Sequence, residues 1–144
     1  AKEKEGRQKK EKAGKKVVVA RGKRKEAIVR AAIKDGRGRI RLNRIALNAV
    51  PTSIVREMIL EPLNFVDAKK FDIDVNVRGG GVMGQAQAAR TAVAKALIEF
   101  TRDPQLRQKM IAYDRSMVVE DPRRVEPKKF KGPKARARFT KSYR

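Results

Sequence analysis

Phe71-Asp72-Ile73-Asp74-Val75-Asn76-Val77-Arg78-Gly79-Gly80-Gly81-Val82-Met83-Gly84-Gln85 decides the fold. Its first half alternates strictly. Phe71, Ile73, Val75 and Val77 share one face and the polar residues share the other, the period of a strand with one buried side. Glycines end the strand. From Gln85 to Phe100, Ala86, Ala88, Ala89, Ala92, Ala94 and Ala96 are joined by Val93 and Leu97. This predicts a helix packed closely on a sheet, with Arg90 and Lys95 on its outer face.

Gly79, Gly81 and Gly84 fit G-x-G-x-x-G, the pattern of a dinucleotide-binding turn. Three features weigh against that reading. The strand before the loop is wet on one side, whereas the first strand of such a unit is buried on both. No further strand-helix repeat follows Phe100, and Gly84 is followed by Gln85 and Ala86, not by the Lys-Ser/Thr of a P-loop. What remains is a set of backbone N–H groups at a helix start, beside Arg78 and Gln85, open to a phosphate of an RNA backbone as readily as of a nucleotide. The alternative is a set of glycines that only let the chain turn.

Toward the N-terminus, Val17 to Ala20 and Ala27 to Ile33 read as strands, and Asp35-Gly36-Arg37-Gly38 as a turn before Arg39-Ile40-Arg41-Leu42. In the last of these Arg39 and Arg41 face one way and Ile40 and Leu42 the other. The loop Arg21-Gly22-Lys23-Arg24-Lys25 holds four cations in five residues, a density that favours phosphate contact over a merely solvated hairpin. Beyond Pro51, Thr52 or Ser53 can cap a helix carrying Ile54, Met58 and Ile59 and closed by Pro62. A further helix is expected from Pro104, with Asp103 as its cap.

The chain has 144 residues and 38 Lys and Arg against 16 Asp and Glu, a formal net charge of +22. Hydrophobic residues still make up 40%, enough for one domain and too many for a wholly disordered chain. The charge is segregated. Residues 1–16 carry +5 and residues 21–44 carry +8, while 45–120 carry only +1 and 121–144 carry +8. This predicts a basic disordered arm over 1–16, a globular α+β domain over 17–120 and an extended tail over 121–144, all seeking a polyanion. With no Cys and no His, disulfides, thiolate metal sites and most hydrolase and zinc chemistry are excluded, and no cofactor or metal is expected. The Asp72 and Asp74 pair invites a catalytic reading, but no third ligand or base accompanies it, so the wet face of a strand is favoured. No apolar run is long enough to span a bilayer, so no membrane partner is expected and the chain reads as soluble.

The tail has a composition of its own. Past Pro127 there is no acidic residue, and Lys128, Lys129, Lys131, Lys134, Arg136, Arg138, Lys141 and Arg144 are interleaved with Phe130, Phe139 and Tyr143. Cations for phosphates and rings for unstacked bases suit a segment that threads into RNA. A non-specific polybasic tail is the alternative.

Arg21-Gly22-Lys23-Arg24-Lys25-Glu26-Ala27, the block from Gly79 to Leu97, and the ending from Asp121-Pro122-Arg123-Arg124 onward resemble the small-subunit ribosomal protein nine family in its archaeal or eukaryotic form. The resemblance covers about Val17 to Arg144. It implies an α+β fold of the ribosomal protein S5 domain 2 type, an antiparallel-rich mixed sheet with helices on one face and a left-handed βαβ crossover. It also implies a non-enzymatic constituent of the cytoplasmic small subunit, bound to the three-prime major domain of its RNA among other head proteins. Expected contacts with ribosomal RNA are Arg21, Lys23, Arg24, Lys25, Arg39, Arg41, Arg78, Gly79, Gly80, Gly81, Gln85, Arg123, Arg124, Lys128, Lys129, Phe130, Lys131, Lys134, Arg136, Arg138 and Phe139. The tail of this family approaches the anticodon stem-loop of peptidyl-site tRNA, which here places Lys141, Ser142, Tyr143 and Arg144 nearest to it.

Overall fold

The computed structural model describes residues 16–139 and 141–143, so the expected arm over 1–16, apart from Lys16, lies outside the described residues, as do Thr140 and Arg144. Strands β1 (Val17–Arg24), β2 (Ala27–Asp35), β3 (Ile40–Leu42), β4 (Ile45–Ala46) and β5 (Phe71–Arg78) form one sheet in the order β1-β2-β5-β3-β4. β5 lies between an antiparallel neighbour, β2, and a parallel one, β3. The β3–β5 connection runs through β4 and helix α1 (Ser53–Leu60). Helices α2 (Val82–Thr101) and α3 (Pro104–Tyr113) follow β5, and past Met117 the described residues form no helix or strand.

One face of the sheet makes the core. Ala27, Val29, Ala31 and Ile33 of β2 and Phe71, Ile73, Val75 and Val77 of β5 are buried against α2, while the residues between them face outward. Ile33, Leu47, Ile59, Ile73, Leu97, Met110 and Met117 are fully buried, each contributing about 1.5–3 kcal/mol by removal from water. Phe71 and Phe100 meet edge to face, their centroids 5.4 Å apart.

The small residues of α2 let it lie almost on the backbone of β1. A Cβ on Gly22 would come within 2.1 Å of the Ala88 carbonyl oxygen and 2.8 Å of the Ala92 nitrogen. Only glycine fits at that crossing.

Four local expectations are corrected: first, Arg21 to Arg24 continue β1 and do not form a loop, leaving only Lys25 and Glu26 in the turn. α2 starts at Val82, not Gln85, so Gly84 sits in its first turn. In α1 the buried pair is Val55 and Ile59, four residues apart, while Ile54 is exposed and Met58 half-buried. Arg90 is not on an outer face but is 9% exposed, and Lys95 is half-buried. Ala86 and Ala94, four residues to either side of Arg90, are buried and keep that side of α2 small enough to be covered. The outer side of α2 lies under the 3-10 segments Glu61–Phe65 and Arg115–Met117. As expected, Asp103 caps α3, accepting from the Gln105 N–H at 2.9 Å, with Pro104 in its first turn.

Candidate nucleic-acid interface

The sheet face that carries no helix is where the predicted cations collect. Strand alternation places Arg21 and Lys23 of β1, Ile28 and Arg30 of β2, Asn76 and Arg78 of β5, and Arg41 of β3 on this side. Register sets them in rows: Arg21 is paired with Arg30 and Arg30 with Asn76, while Lys23 is paired with Ile28 and Ile28 with Arg78. Arg21 opposite Arg30 is a like-charge cross-strand pair, which destabilises a sheet unless an anion lies over it. Among the described residues Arg21, Lys23, Arg30, Arg41, Arg44 and Arg78 make no ion pair.

A cleft of about 770 Å³ opens on this face between Ile28, Arg30, Asn43, Arg44, Asn76, Val77 and Arg78. Asn43 and Arg44 take left-handed backbone angles, φ 48° and 70°. Asn43 earns that conformation by its bonds to β5: its N–H donates to the Val75 carbonyl at 2.8 Å, and its side-chain oxygen accepts from the Val77 N–H at 2.8 Å. The turn is thereby stapled just past the end of β3, with Arg44 at the mouth of the cleft.

The other half of the open face is balanced. Lys34 stands 3.7 Å from Asp74. The Asp72 carboxylate accepts the Arg37 and Arg39 N–H groups at 2.9 and 3.0 Å, and these two backbone bonds hold its pKa below the ordinary 3.8. The two aspartates thus serve a turn and a surface pair. They form no catalytic dyad.

At the basic end of the sheet the β1–β2 turn meets the glycine loop. Lys25, in the two-residue turn, is exposed with φ 53°. Gly79 and Gly80 have φ near 70°, and a Cβ on either would strike the turn, 2.8 Å from the Glu26 oxygen or 2.9 Å from the Ala27 nitrogen. These two glycines are required by the fold. Gly81 is not: its φ is −93° and a Cβ there would meet nothing within 4 Å. It caps α2 without a side chain, so the first-turn N–H groups stay approachable by an anion. Gln85 closes the loop by donating from its side-chain nitrogen to the Gly79 carbonyl at 3.0 Å.

The remaining predicted cations divide. Arg24 donates from Nε to Gln87 Oε1 at 2.9 Å and contacts the Asp121 carboxylate, so it faces inward. Arg123 grips Asp121 through Nε and Nη2, at 2.9 and 2.7 Å, and Arg124 donates to the Asp121 carbonyl at 2.8 Å. Arg39 is exposed just before β3. In the tail Lys129 and Arg136 hold Glu126 at 3.1 and 2.9 Å, and those bonds, Arg136 first, lower the Glu126 pKa. Lys128, Lys131, Lys134, Arg138, Lys141 and Ser142 are exposed, and Phe130, Phe139 and Tyr143 are 92%, 75% and 90% exposed. Arg30 and Arg44 escaped the sequence reading. Arg30 sits in a run read only as a strand, although strand parity with Ala27, Val29 and Ala31 already put it on the outside.

A helix-backed sheet with a bare cationic face and a basic aromatic tail has the build of a binding protein. The family model described as Ribosomal protein S9/S16 matches residues 22–144. The chain is 47% identical over 132 residues to the small ribosomal subunit protein uS9 of Methanothrix thermoacetophila, covering 90% of this chain and 99% of that one. It is 50% identical over 129 residues to the protein of that name from Picrophilus torridus, covering 88% and 97%. The chain belongs to the ribosomal protein S9/S16 family, whose members are structural components of the ribosome and not enzymes.

Proposed function

We propose that this chain docks on the three-prime major domain of small-subunit RNA, in the head, and that its tail extends to the anticodon stem-loop of peptidyl-site tRNA. The carrying observation is the uncompensated arginine face, Arg21 against Arg30 with Arg44 and Arg78 beside them. Phosphates supply the missing charge, and Gly81 adds an approachable helix start. Division into an arm (1–16), a domain (17–120) and a tail (121–144) goes with this role. So do neighbouring head proteins as partners and an S5 domain 2 type fold with a left-handed crossover from β3 to β5.

Supporting the tail's role, its three aromatic rings are exposed where the core cannot use them, each available to stack on a base. At matched salt the protein is expected to bind a head-RNA fragment far more tightly than random duplex. Equal affinity contradicts the proposal in favour of generic polyanion binding. Deleting residues 141–144 is expected to spare subunit assembly and weaken tRNA retention. Loss of assembly instead assigns those residues a structural role.

A further inference from the structure

We propose that Arg24 and Lys95 are positioning residues that clasp the start of the tail and fix the direction in which it leaves the domain. Residues 121–144 contain only two acidic side chains, Asp121 and Glu126, and the first lies where the tail begins. Asp121 is held against Arg24, with side-chain exposures of 22% and 16%. One residue earlier, Glu120 accepts from Lys95 Nζ at 2.9 Å, and Lys95 also reaches the Arg21 carbonyl at 3.4 Å. Arg24 belongs to β1 and Lys95 to α2, so two elements that cross at Gly22 each hold one of two consecutive carboxylates.

The clasp is supported from both sides. Gln87 of α2 fixes the Arg24 guanidinium through Nε. Upstream, Met117 and Val118 are buried, and downstream Val125 is 75% exposed. The buried path therefore ends near Asp121, where Arg123 and Arg124 fold back on its carboxylate and carbonyl. Two adjacent, partly desolvated ion pairs set a direction that a single exposed pair cannot, because an exposed pair is worth too little to hold a chain. A tail leaving in a fixed direction meets its target at a higher effective concentration than one swivelling freely.

The chain has no Cys, so Glu99→Cys and Val125→Cys take spin labels cleanly in the full-length protein. Pulsed electron-electron distance measurements are expected to give a narrow distribution with the clasp intact. Arg24→Gln and Asp121→Asn are each expected to broaden it at least about twofold, and the double variant to broaden it no further, the non-additivity of a shared contact. Lys95→Gln gives an independent variant should Arg24→Gln not fold. Unchanged widths in Asp121→Asn and Lys95→Gln overturn the proposal, as do widths that simply add.

The functional half rests on the proposed tRNA contact. In reconstituted subunits Asp121→Asn and Lys95→Gln are expected to incorporate normally and to lower peptidyl-site tRNA retention about three- to tenfold. Deletion of residues 141–144 is the control: no effect of that deletion removes the tRNA contact itself, and the distance widths still decide the clasp.

Discussion

Replacing Arg90 with Met tests the packing of the domain most sharply. Arg90 is 9% exposed inside the alanine-rich helix, contacting the Glu61 carboxylate at 2.5 Å through Nε and that of Asp114 at 2.7 Å through Nη2. Methionine fills most of the volume of the stem, so the loss is mainly electrostatic. Removing one partner of a buried pair costs about 3–5 kcal/mol. Glu61 and Asp114 retain side-chain exposures of 24% and 38%, and the water they keep lowers the expected loss to about 2–4 kcal/mol. At about 4 °C per kcal/mol, the melting temperature falls by about 8–16 °C.

Asp114 makes the stability depend on pH. Burial alone raises the Asp114 pKa, but hydrogen bonds from Arg90 and Ser116 outweigh it and hold the group below the ordinary 3.8. Its contribution is therefore complete above that value and lost as pH falls through the lower, folded-state pKa. In Arg90→Met the Asp114 pKa rises, so the penalty is largest near neutrality and shrinks below 3.8 as the Asp114 carboxylate protonates. Urea unfolding of both proteins at pH 7 and pH 3 measures this. A cost under about 0.5 kcal/mol at pH 7, as for a free surface cation, refutes the reasoning, and so does a cost independent of pH.

Gly22→Ala forces α2 off β1 and is expected to cost about 1–3 kcal/mol in the same urea assay, whereas Gly81→Ala is expected to cost under about 1. Asp72→Ala leaves two exposed turn N–H groups to water and should lower stability by under about 1 kcal/mol. Changing Arg21, Arg30, Arg44 and Arg78 together to Gln should reduce the magnitude of the log–log salt slope of RNA binding by about 3, at 0.7 to 0.9 per phosphate. Melting temperature should hold or rise, because the repulsion between Arg21 and Arg30 is relieved.

Much of this was legible in the residues. Strict alternation over 71–78 placed β5 and its buried face without ambiguity, because only one register buries all four apolar side chains. Asp103-Pro104 placed the start of α3 for a similarly local reason. The fate of Arg90 and Arg24 was not local. Their partners Glu61, Asp114 and Asp121 lie between 24 and 97 residues away along the chain, and only the folded sheet brings them together. A cation that is structural and one that waits for phosphate look alike in sequence, and what separates them is whether a carboxylate is delivered to their side. The glycine loop divides on the same principle: Gly79 and Gly80 answer to the neighbouring turn, which the pattern of glycines cannot show, and Gly81 to open space.

The bare sheet face, with the tail, is the proposed RNA-docking surface. Hydroxyl-radical side-chain footprinting of the free protein and of the protein in small subunits tests it directly. Ile28, Phe130 and Phe139, 45%, 92% and 75% exposed in the free chain, are predicted to become strongly protected, while Ile111 and Tyr113 of α3, at 38% and 64%, stay closer to their free reactivity. Protection of α3 with Ile28 left reactive contradicts the account, because the domain would then dock by its helical side.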